Sequence, residues 1–74
     1  MSPKEKATEL LEKFGSNALD ILQETLLVWE AKKLLYSQEM KAYKYSENKY
    51  ESAKRGFEIS ERTLKYWNKV KLLI

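Results

Sequence analysis

Residues 22–57, LQETLLVWEAKKLLYSQEMKAYKYSENKYESAKRGF, decide the fold. Stepping through them in sevens meets Leu22, Trp29, Tyr36, Tyr43, Tyr50 and Phe57, and the next step lands on Leu64. Seven residues is close to two turns of an α-helix, so these side chains line one slowly drifting stripe on a helical surface. Five of the first six are aromatic, and aromatic rings combine large apolar area with specific packing geometry. The stripe is either the spine of the fold or a face shown to a partner. Heptad-spaced rings flanked by Lys stems are the pattern of a core or a self-association seam. Tyr favours positions with one dry side and one wet side, which places Tyr36, Tyr43 and Tyr50 at an interface rim. Lys33, Glu47 and Lys54 fall on the neighbouring heptad position beside Leu26 and Met40. Charges there argue against a long dry coiled coil beyond Tyr36.

Outside the stripe the punctuation is helical. Ser2 followed by Pro3 and Glu5 reads as an N-cap, a first-position proline and a capping-box acid. Ala7, Leu10, Leu11 and Phe14 recur at helical steps, and Gly15 is a natural stop, giving a first helix over residues 3–14. Ser16 or Asn17 can cap the next helix, with Asp20 in its first turn. From Asn17 to Arg55 there is neither Gly nor Pro. A helix over 17–54 would be about 57 Å long, and it needs something lying alongside it. Two breaks are available. Tyr45-Ser46-Glu47-Asn48 contains weak helix formers, and Gly56 follows Lys54-Arg55, which suit a helix C-terminus. The stronger signal is Gly56, with Ser60 and Glu61 then opening a last helix through Leu64, Tyr66, Trp67, Val70 and Leu73. The apolar C-terminus implies docking on the first helix or the start of the second. Nothing alternates apolar and polar as a strand does. The expectation is an all-α chain: one domain over 1–74, a small helical bundle or hairpin built on one long central helix with a short N-terminal helix and a C-terminal helix.

Seventy-four residues make a core worth only about 3–5 kcal/mol, so such domains lean on disulfides, metals or partners. With no Cys and no His, disulfides and a conventional zinc site are excluded, leaving oligomerisation or partner binding. The opening is charged and polar with no apolar signal core behind it. The longest apolar run, Leu26–Trp29, is far short of the ~20 residues that span a bilayer. The expected setting is cytoplasmic, away from membranes. Residues 1–30 carry three basic and six acidic side chains, and residues 31–74 carry eleven basic and five acidic. A basic second half can meet phosphates or an acidic protein surface.

An enzyme needs a nucleophile, a base or a metal held in a pocket. Neither His nor Cys is present, no Gly-rich loop can cradle phosphate, and acidic pairs such as Glu5/Glu9 and Glu47/Glu51 are what charged helices produce by chance. The reading is a non-enzyme without cofactor or metal. Tyr36, Tyr43, Tyr45 and Tyr50 are interleaved with Lys32, Lys33, Lys41, Lys44, Lys49, Lys54 and Arg55. Rings stack on unpaired bases and cations neutralise phosphates, so this texture also fits single-stranded RNA or DNA.

The opening MSPKEKATELLEKF and the late Tyr66-Trp67-Asn68-Lys69-Val70-Lys71 resemble the ends of small helical proteins of Bacteroidota phages and mobile elements. The resemblance spans about 20 residues, leaves the aromatic stripe unmatched and carries over no site residue. It implies a setting in which small proteins bind host machinery, counter-defence inhibitors of the anti-CRISPR type included. The function expected on these grounds is binding and inhibition of a host protein or nucleoprotein complex. The contact would be made by Tyr36, Tyr43, Tyr50, Lys44, Lys49, Lys54 and Arg55. A homodimeric RNA- or DNA-binding accessory factor and a structural oligomer or virion component are the alternatives.

Overall fold

Ser2 starts the first helix as its sequence dictates. In a computed structural model, which describes residues 1–74, the Ser2 backbone is extended and its hydroxyl accepts from the Glu5 backbone N–H at 3.2 Å. The same hydroxyl donates to the Glu5 carboxylate at 3.1 Å. Pro3 loses nothing at the first position, where its missing N–H has no helical partner anyway. Helix α1 spans Pro3–Phe14 and ends at Gly15, whose φ of +56° is a left-handed conformation that only glycine adopts without strain. One 3₁₀ turn, Gly15–Asn17, leads into α2, Ala18–Ala42; after a short turn α3 runs over Glu47–Leu72. There is no strand.

A straight helix from Pro3 to Ala42 would be about 60 Å long, yet the longest dimension of the molecule is 47 Å. The bend at Gly15 therefore folds α1 over, and it packs on the far end of α3. The core sits at this three-helix end. Ala7 and Leu10 of α1, Ala18, Leu22 and Leu26 of α2, and Leu64 and Val70 of α3 form one buried cluster, with Trp29, Tyr66 and Trp67 against it. The Trp67 and Tyr66 rings meet edge to face at 5.4 Å. Lys6 lies 5.8 Å over Trp67 while its ammonium bonds Glu9 at 3.2 Å. The expected docking of the C-terminus is thus made by Trp67 and Val70, and Leu72, Leu73 and Ile74 remain exposed.

The rest of the molecule is a two-helix hairpin. Along α2 the inward positions are Leu22, Leu26, Trp29, Lys33, Tyr36 and Met40; α3 answers with Tyr50, Ala53, Phe57, Ser60, Leu64 and Trp67. The sevenfold stripe runs down α2, rounds the turn at Tyr43 and returns along α3. It is the spine of the fold. Lys33 is accommodated on the seam with its ammonium 5.5 Å over the Phe57 ring, while its stem covers apolar surface.

The break falls at Tyr43–Ser46, which corrects the expectation of a helix running to residue 54 and stopping at Gly56. The Tyr43 N–H still bonds Glu39, Ser46 N–H bonds the Tyr43 carbonyl, and extended Ser46 opens α3 without a side-chain cap bond. Local capping is weak here, so tertiary packing decides: folding back at this point lays the second half of the stripe on the first. Gly56 stands mid-helix for a different reason. A Cβ built there would lie 2.5 Å from the Tyr36 ring, so the missing side chain is the space that ring occupies. Ser60, expected as a cap, is fully buried within α3 and its hydroxyl donates to the Gly56 carbonyl at 2.8 Å. That bond satisfies a buried polar group, as burial requires.

Gly56→Ala adds helix propensity worth up to about 1 kcal/mol but overpacks the seam, which costs about 1–3 kcal/mol. The variant should unfold at lower urea than the parent, and the same change in a Tyr36→Ala background should be neutral or stabilising. Equal effects in both backgrounds would mean the ring and the glycine are not coupled. Leu22→Ala, at a fully buried position, should cost about 3 kcal/mol in the same assay.

Candidate interaction surface

The turn that reverses the chain also concentrates its exposed aromatics. Tyr45 is 91% exposed, the largest apolar side chain so fully in solvent, and Tyr43 beside it is 38% exposed. A chain reversal at 43–46 leaves no neighbouring element above these rings. Lys44 lies 5.0 Å over Tyr45, and Lys49, from the first turn of α3, lies 5.1 Å over Tyr43. Each ammonium is held over a ring face by the ring's quadrupole, which aligns charge and apolar area in one patch. Two open grooves flank the tip. One, about 400 Å³, is lined by Tyr36, Glu39, Tyr43, Asn48 and Lys49. The other, about 300 Å³, is lined by Met40, Lys41, Lys44, Tyr50 and Phe57.

Of the residues expected at a partner site, Tyr43, Lys44 and Lys49 come together at this tip. Tyr36 and Tyr50 are half-buried, the first against Gly56 and the second beside Phe57 and Met40 in the smaller groove. Their rings belong to the seam and are only partly exposed. Lys54 and Arg55 are exposed on α3 beyond the tip. Arg55 begins a second sevenfold series, Arg55, Arg62 and Lys69, all exposed, with Lys65 beside it. The sevenfold line leaves Tyr45 out of the expected contact residues, although it is one of the rings interleaved with lysines and lies in the weak-helix stretch 45–48.

The widest hollow, about 650 Å³, is an open furrow along the hairpin with Phe57 and Leu64 in its lining and Glu30, Lys33, Glu61 and Lys65 among its charged groups. Its charges alternate in sign and none is within ion-pairing distance of another, the arrangement of a solvated flank. No group of three acidic side chains is close enough to share a metal ion, and no helix is long and apolar enough to cross a membrane. No family model matches the chain, and neither a curated protein nor a solved structure is similar to it.

The different settings of the tyrosines separate their effects. Tyr45→Ala should leave the unfolding free energy from urea titration within about 0.5 kcal/mol of the parent, as exposed substitutions do, whereas Tyr36→Ala should destabilise by about 2 kcal/mol or more. Comparable losses for the two would show that the tip is packed and unavailable for contact.

Proposed function

We propose that this chain is a non-enzymatic interaction protein that binds a host protein or nucleoprotein complex and inhibits it by occlusion, one copy covering one site. The setting is that of the phage and mobile-element proteins its two ends resemble, with counter-defence inhibition of the anti-CRISPR type as the form of activity. The observation that carries the reading is the tip. Tyr45 stands almost wholly in solvent and Tyr43 half in it, each with a lysine over its ring. Rigid aromatic side chains supply contact area at low entropic cost and are the commonest energetic anchors of protein interfaces. Lysines around them steer an acidic partner and raise its rate of association. Tyr43, Tyr45, Lys44 and Lys49 are the anchors in this reading, with Tyr36 and Tyr50 holding the platform.

A second reading rests on a separate observation, the exposed line of Arg55, Arg62 and Lys69 with Lys65 on α3. Cations repeated along one helix face neutralise successive phosphates, and this face makes the chain a small RNA- or DNA-binding accessory factor.

Capture of tagged protein from a bacterial lysate, with and without nuclease, distinguishes the two. One host complex that survives nuclease, and that a Tyr43→Ala/Tyr45→Ala variant fails to retain, is the expected result. Truncating an anchor of this kind costs about 2 kcal/mol or more in binding. Recovery of nuclease-sensitive RNA or DNA alone, with affinity falling steeply as salt rises and lost in Arg55→Ala/Arg62→Ala, would replace the first reading with the second.

A further inference from the structure

The turn that joins α2 to α3 contains nothing that specifies a turn. Residues 43–46, Tyr-Lys-Tyr-Ser, include no Gly or Pro, none of them has a positive φ, and Ser46 makes no side-chain cap bond. The N–H groups of Lys44, Tyr45, Glu47, Asn48 and Lys49 have no backbone partner, although Tyr43 and Tyr50 on either side still make helical bonds, to Glu39 and Ser46. Extended Ser46 is where the chain leaves the helical path. We infer that the reversal is a hinge and that two copies exchange α3 through it. Each opens into one helix over residues 18–72 and lays its α3 on the α2 of the other.

The seam itself carries the inference. The inward positions of α2, from Leu22 to Met40, advance by alternate steps of four and three, and those of α3, from Tyr50 to Trp67, by three and four. Joined through Tyr43 and Ser46 they form one series, in which two steps of three adjoin at a single place, 40–43–46. Paired helices absorb one such irregularity by local overwinding. A hairpin requires no continuity of this kind, because a turn can deliver its second helix at any rotation about its axis. A continuous helix requires it, and bonds all five open N–H groups to carbonyls four residues back.

The occupant follows from the register. Helix α2 needs a helix with a glycine opposite Tyr36, and α3 needs one with a tyrosine opposite Gly56; a second copy supplies both. Tyr36 and Gly56 are equidistant in the chain from Ser46. The exchanged pair is therefore antiparallel with Ser46 on its two-fold axis, and the seam contacts of the hairpin are remade between chains. The bond from Ser60 to Gly56 is internal to α3 and is kept. Exchange of an identical element is a low-cost route to a dimer, and new contacts arise only at the hinge. There Tyr43 leaves the exposed tip and enters the seam, so monomer and dimer present different surfaces whatever the tip binds.

The test refolds the full chain from denaturant at low and at high concentration and separates the products by size, with light scattering. The concentrated sample should contain a species of twice 8.8 kDa. The chain has no Cys, so spin labels on Leu27→Cys/Lys65→Cys, both exposed positions, report one pair alone once labelled chain is diluted in unlabelled chain. The two sites lie level across the hairpin, under about 30 Å apart, and about 57 Å apart along the single helix of the dimer. Glu47→Pro separates the two forms. Proline suits the first position of α3 and the extended Ser46 before it, but it breaks a continuous helix. It should weaken dimerisation by roughly a hundredfold or more while the monomer keeps its helical circular dichroism. A chain that refolds only as monomer overturns the proposal. So does a dimer in which the 27–65 distance stays short, or one that Glu47→Pro leaves undiminished.

Discussion

The Tyr36 ring occupies the space that Gly56 leaves open, and the hairpin is organised around that contact. A glycine in mid-helix sacrifices up to about 1 kcal/mol of propensity, here exchanged for close approach of two helices at the middle of a long seam. The contact fixes the register of α3 on α2. With Tyr36 opposite Gly56, the chain reverses at Tyr43–Ser46, Lys49 falls beside Tyr43, and the second half of the sevenfold stripe closes on the first. Ser60, one turn on, returns its hydroxyl to the Gly56 carbonyl, so the small-residue patch of α3 remains satisfied although it is buried.

The two ends of the molecule differ in what holds them. At the α1 end three helices share one apolar cluster, and Trp67, Tyr66 and Lys6 close over it. At the tip end two helices meet along half-buried rings with no third layer above. Local opening therefore begins at the tip, where the fewest apolar contacts hold the backbone. The same economy exposes Tyr43 and Tyr45. An exposed tip on a thin hairpin and a three-helix core at the opposite end follow from one placement of α1, which the left-handed Gly15 directs.

Charge has little part in holding the fold. Of 14 basic and 11 acidic side chains, one pair, Lys6–Glu9, is in ion-pairing contact, and a single i,i+3 pair on a helix that is partly open to solvent is worth little. Several lysines lie instead over aromatic faces: Lys32 over Trp29 at 4.3 Å, Lys33 over Phe57, Lys49 over Tyr43. Most charges are left free of partners on the surface.

The sequence by itself determined the elements that depend on local chemistry. The Ser2 cap, Pro3, the stop at Gly15 and the sevenfold stripe each report backbone geometry or helical period within a few residues, and the structure repeats them with α1 at the expected bounds. The place of the chain reversal was outside that reach. Glycine after Lys54-Arg55 has the form of a helix stop, and nothing local reveals that a ring 20 residues earlier fills its missing side chain. For the same reason Tyr36 and Tyr50 were indistinguishable from Tyr43 along the stripe: burial is set by what the chain folds back upon, and only tertiary structure decides which tyrosine meets a glycine and which meets water. The two apolar sides of α2 show this most plainly. Both are written in the sequence at sevenfold spacing, but which one became the seam and which was left open was decided by the packing of α3.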